Sequence, residues 1–76
     1  PTREVNELIR RAQQAQPAPH GARVLYATQG ATQPPTFTLF ANRDLPTSYV
    51  RYLERSLRER FGLEASPIKL RVKRRD

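Results

Sequence analysis

A chain of 76 residues is near the size at which folding buries only about 60% of the surface exposed by the unfolded chain. Residues 1–76 therefore read as a single domain with no room for an enclosed reaction cavity. Cysteine is absent, which excludes disulfides and thiolate metal sites, and no apolar run approaches a membrane span. Fourteen Lys and Arg against seven Asp and Glu give a formal charge of +7, which points to a polyanion partner, RNA first and an acidic protein face second.

No signal peptide is legible, and a reducing, cytoplasmic compartment is expected. The opening Pro1 and the lack of methionine read as a processed chain or a segment of a longer protein.

In chain order, Thr2 is a candidate N-cap and Glu4 lies in the first turn, where the helix dipole favours a carboxylate. Val5, Leu8, Ile9 and Ala12 recur at helical spacing, predicting an amphipathic helix over residues 3–15 with its Arg, Asn, Glu and Gln side solvated. The Pro17-Ala18-Pro19 stretch ends it. His20, the one histidine, sits in that Pro-rich loop without partners for metal or base chemistry.

Residues 23–28 and 36–42 alternate side chains at period two and predict two strands of an antiparallel hairpin. Val24, Tyr26 and Thr28 are expected on one side of the first strand, with Leu25 and Ala27 on the other. The connection holds Gly30 and Pro34-Pro35; neither proline can donate to a ladder, so both belong at the turn or at the mouth of the second strand. Of Tyr26, Phe37 and Phe40, at least one must fill the core of so small a domain, which weighs against all three being base-stacking platforms.

Arg43 to Thr47 reads as a turn, and Thr47 or Ser48 is the expected cap of a second helix over residues 49–61. Tyr49, Leu53, Leu57 and Phe61 step by four along one side, Glu54 and Arg58 form a favourable i,i+4 pair, and Gly62 is placed for a left-handed cap. Arg51, Arg55 and Arg58 take the solvent face. From Ile68 to Arg75 the period is two again: Ile68, Leu70 and Val72 form an apolar row expected to seal the core, so Lys69, Arg71 and Lys73 project oppositely. Charged side chains also block edge pairing, but the row continues into Arg74 and Arg75. Arg51, Arg55, Lys69, Arg71, Lys73, Arg74 and Arg75 are thus the candidate anion-binding residues.

The predicted class is α+β, order αββαβ: a three-stranded mixed sheet, third strand parallel to the second through a right-handed crossover, with two helices on one face. This order resembles the KH fold, an RNA-binding scaffold. YATQ (26–29), PPTF (34–37), LFAN (39–42), SYVRYLE (48–54), LRERFGLE (57–64) and SPIKLR (66–71), with TREVN (2–6) at the start, are similar to the C-terminal KH-like domain of the bacterial Der, or EngA, GTPases. One departure is Ala65, where a turn glycine is expected.

The resemblance implies two GTPase domains upstream, a role in maturation of the large ribosomal subunit, and a basic surface facing its rRNA. It also implies docking against the GTPase domains of the same chain, whose rearrangement on nucleotide exchange exposes or buries that surface. Tyr26, Asn42, Tyr49 and Tyr52 are candidates for the docking surface. GTP and magnesium would belong to the upstream domains, because GxxxxGK[ST] is absent from these residues. The three glycines, Gly21, Gly30 and Gly62, do not form the GxxG clamp of ordinary KH domains. Two readings remain open: an rRNA-contacting module, and an intramolecular platform with little RNA contact. An enzymatic role is remote, since the acidic residues and His20 form no spaced constellation. The domain itself is expected to be monomeric and cofactor-free, without membrane contact.

Overall fold

The computed structural model describes residues 2–75. Helix α1 (Thr2–Ala15) leads through a 3-10 turn (Pro19–Gly21) to β1 (Val24–Thr32), β2 (Pro35–Ala41), α2 (Thr47–Phe61) and β3 (Lys69–Arg74). The strands form one sheet in the order β1-β2-β3, with β1 antiparallel and β3 parallel to β2. The class, element order and mixed sheet are those expected from the sequence.

Both helices pack on one face. Val5, Ile9 and Ala12 of α1 and Tyr49, Leu53 and Leu57 of α2 meet Val24, Ala27, Phe37 and Leu39 of the sheet. Phe37, Leu39, Leu53 and Leu57 are at most 2% exposed, so removing any of these side chains creates a cavity where the protein is densest. Among the described residues no helix is long and apolar enough to cross a membrane.

The hairpin differs from the expected one in length and in facing. β1 runs through Gly30 to Thr32, so the connection is only Gln33-Pro34, joined by a cis peptide, and Pro35 opens β2. Two register shifts, between Val24 and Tyr26 and between Gln29 and Thr32, each insert one extra residue into β1. The first resets the alternation. Val24 and Ala27 both enter the core, whereas Tyr26 turns to the other face opposite Phe40.

Helix ends also differ. Thr2, expected as a cap, is the first residue of α1, and α2 starts at Thr47 with Pro46 at its N-cap position and no side-chain cap. The Pro46 carbonyl accepts from the Tyr49 and Val50 amides instead. At the other end Gly62 has φ of 66° and donates its N–H to the Arg58 carbonyl, which also accepts from Leu63. Gly62→Ala is therefore expected to lower stability by about 1 kcal/mol. Gly30→Ala is expected to be neutral or mildly stabilising, because Gly30 has no positive φ and nothing within 4 Å of an added Cβ. Chemical denaturation of the two variants checks the contrast. Ala65 needs no glycine, since His20 is the one non-glycine with positive φ among the described residues.

The two sheet edges are treated differently. The Asn6 side chain of α1 donates to the Ala27 carbonyl at 2.8 Å and accepts from its N–H at 2.8 Å. Two turns on, Gln13 does the same to Val24, donating at 3.1 Å and accepting at 2.7 Å. These amides, expected in the solvated face, instead satisfy the outer edge of β1. Among the described residues the β3 edge has no such cover, and its apolar row seals only in part: Ile68 and Leu70 pack against the core, but Val72 is 39% exposed.

Candidate nucleic-acid interface

A strand sends alternate side chains to opposite faces, and the register of this sheet sorts the candidate cations. Thr36 pairs with Lys69, Thr38 with Arg71 and Phe40 with Lys73, while the buried Phe37 and Leu39 pair with Leu70 and Val72. Lys69, Arg71 and Lys73 therefore stand on the face opposite the helices. Arg75 continues the row: its backbone N–H reaches the Ala41 carbonyl at 2.7 Å, and its guanidinium donates to the Tyr26 hydroxyl at 2.7 Å. Arg74 has the parity of Leu70 and Val72 and projects to the helix side.

The same face carries aromatic and hydroxyl groups. Across the sheet run the rows Tyr26–Phe40–Lys73 and Thr28–Thr38–Arg71. The Tyr26 and Phe40 rings stack at 4.7 Å between centroids with 20° between planes, and the Arg75 guanidinium lies 5.7 Å from the Tyr26 centroid. Phe37 is the ring that fills the core. All four odd-numbered cations of this row are exposed. Among the described residues none has a carboxylate at ion-pair distance; the ion pairs found join Glu7 to Arg10 and Arg11, and Glu54 to Arg58. Three such charges on β3, with Arg75 just past its end, give this face a concentrated positive field.

Arg51 and Arg55 are not brought to that face. They lie on the exposed side of α2, across the sheet, in an open depression shared with Glu54, Arg58, Glu59 and Glu64. Three carboxylates beside three guanidiniums dilute the field there. Arg58, expected in the solvent, is half-buried and donates to the carbonyls of Leu63 and Ser66. It fastens the segment leading into β3.

The candidate docking residues are largely used within the domain. Tyr49 is 8% exposed and donates to the Gln16 carbonyl at 2.6 Å, and half-buried Tyr52 donates to the Ala12 carbonyl at 2.7 Å. Both hydroxyls thereby satisfy carbonyls at the α1 C-terminus. Burial raises the Tyr49 phenol above its ordinary pKa, with the neighbouring Tyr52 adding to the effect. Asn42 accepts from the Arg23 N–H at 2.8 Å and donates to the Gly21 carbonyl at 3.1 Å, pinning the loop before β1. Tyr49 in particular is no surface residue. Of the four, Tyr26 stands on the open face.

Among the described residues no group of three His, Cys, Asp or Glu side chains converges as a metal site. What sequence reading missed is the threonine row and the pairing of Tyr26 with Phe40, which arises because the β1 bulge turns Tyr26 to the open face.

Comparison with known proteins gives a consistent result. The family described as KH-domain-like of EngA bacterial GTPase enzymes, C-terminal, matches residues 1–73. A GTPase Der of Bifidobacterium longum is 44% identical over 80 residues, covering 100% of this chain and 17% of that protein. A GTPase Der of Corynebacterium glutamicum is 44% identical over 79 residues, covering 99% and 15%, and one of Desulforamulus reducens is 40% identical, covering 99% and 18%. The chain thus spans under a fifth of the length of these curated relatives.

Proposed function

The chain belongs to the KH-domain-like family found at the C-terminus of EngA bacterial GTPases, and on that premise we propose that it is an RNA-contacting module serving assembly of the large ribosomal subunit. Its open sheet face would meet phosphates of the rRNA. GTP and magnesium would be bound by the GTPase domains of the same chain, in the cytoplasm, and this domain would follow their nucleotide state. The observation that carries the reading is the row Lys69, Arg71, Lys73 and Arg75, exposed on one face with no carboxylate partner among the described residues.

Without a GxxG clamp the backbone has no standard groove to grip. Contacts from this row would position the domain on phosphates without reading bases through that groove. The intramolecular-platform reading has less support, because Tyr49, Tyr52 and Asn42 are already committed to α1 and to the loop before β1.

Fluorescence-anisotropy titration of a structured rRNA fragment across salt concentrations tests the proposal. Four phosphate contacts at roughly 0.7–0.9 each predict a log–log slope of about −3. Association independent of salt would remove it.

A further inference from the structure

We propose that the Tyr26–Phe40 pair is a stacking platform for an unpaired nucleobase, so that the open face takes single-stranded rather than duplex RNA. The inference rests on the RNA reading above and names the form of RNA recognised.

A cross-strand ring pair can exist only to stabilise a hairpin. Three features of this pair go further. The helices cover the opposite face and leave both rings part exposed, with no helix or strand above them among the described residues. The rings lie in one row with Lys73, within a strand's reach of Arg71 and its two neighbouring threonines. Arg75 holds its guanidinium over the Tyr26 ring while bonding the phenol oxygen. Base-stacking surfaces combine these parts: a flat π surface, a cation that can stack or contact phosphate, and a flanking basic track for the backbone.

The geometry also selects against duplex. In an A-form helix the base faces are occupied by their neighbours, so rings on this cationic face would meet only sugars and phosphates. A single strand can turn one base onto Tyr26 and Phe40 while its phosphates follow Lys69, Arg71 and Lys73. Arg75 would then shift from the phenol to the base or to the next phosphate. Thr28 and Thr38 offer hydroxyls beside the platform.

The test uses a fluorescein-labelled RNA decamer without self-complementarity, and the same decamer annealed to its complement. Charge alone favours the duplex, so tighter binding of the single strand at equal salt is the expected result. Tyr26→Leu is expected to weaken single-strand binding about 5- to 100-fold with the salt slope unchanged, and Tyr26→Phe to keep affinity within about threefold. In the unsubstituted chain, ring protons of Tyr26 and Phe40 are expected to shift upfield on titration, a reading that needs no variant to fold.

Salt-dependent binding of both RNAs with the duplex equal or tighter, or with the ring protons unmoved, overturns the platform and leaves the RNA reading standing. A chain that binds neither RNA overturns both.

Discussion

Reversing charge at Lys69, Arg71 and Lys73 together is expected to lower RNA affinity by about 100-fold at physiological salt. Each lost phosphate contact forfeits roughly fivefold through counterion release at that ionic strength, and three are lost. The same change in net charge made at Arg51, Arg55 and Arg74 is expected to cost about fivefold or less, because those side chains sit across the sheet and act only through a screened long-range field. All six are exposed, so neither triple variant should unfold the domain, and circular dichroism controls for this. The pair of triples separates position from charge. Equal losses in both would mean that the RNA responds to total charge and that no face is distinguished.

Removing the Asn6 side chain is expected to destabilise the domain by about 2 kcal/mol, a large share of what so small a core supplies. Asn6→Ala strips both partners from the Ala27 backbone, and Ala27 is 0% exposed. An unsatisfied buried backbone group costs about 1–3 kcal/mol, and partial access of water to this edge holds the sum near the middle of the range. For a domain of this size the melting temperature should fall by roughly 8–16 °C. Asn6→Asp is expected to be intermediate: its carboxylate still accepts from the Ala27 N–H but faces the Ala27 carbonyl without a proton to donate. Thermal unfolding of the two variants measures this, and a change under about 0.5 kcal/mol for Asn6→Ala would mean water replaces the amide.

The Asn6 and Gln13 contacts to β1 could not be read from helical periodicity. Helical periodicity marks Val5, Ile9 and Ala12 as core, and the structure buries all three. Asn6 and Gln13 flank that stripe, each one residue beyond a buried position and seven apart, where a polar residue ordinarily meets solvent. Their partners, Ala27 and Val24, are backbone groups whose availability depends on β1 being an edge strand. That is a property of the whole sheet. The tyrosine hydroxyls are equally non-local, reaching carbonyls 33 and 40 residues away.

Where local chemistry decides, the residues were readable. Gly62 terminates α2, Pro34 and Pro35 bound the hairpin turn, and period two in β3 assigns Lys69, Arg71 and Lys73 to one face. Period two misleads in β1, since a bulge at Leu25 shifts the facing of everything after it and no residue type announces it. The candidate site inherits that limit. Its cations were legible from alternation along a single strand, but grouping Arg51 and Arg55 with them was not warranted by proximity in the chain, because the crossover from α2 to β3 places the helix and the row on opposite faces. That Tyr26 and Phe40 pair on one face became visible only once the bulge was known.

The most direct test of the account is face-specific: the side-chain Nε–Hε resonances of the arginines, followed by NMR as single-stranded RNA is titrated in. Shifts and slowed exchange are expected for Arg71 and Arg75, with Arg51 and Arg55 nearly unmoved. Perturbation centred on Arg51 and Arg55, with Arg71 and Arg75 silent, would contradict it.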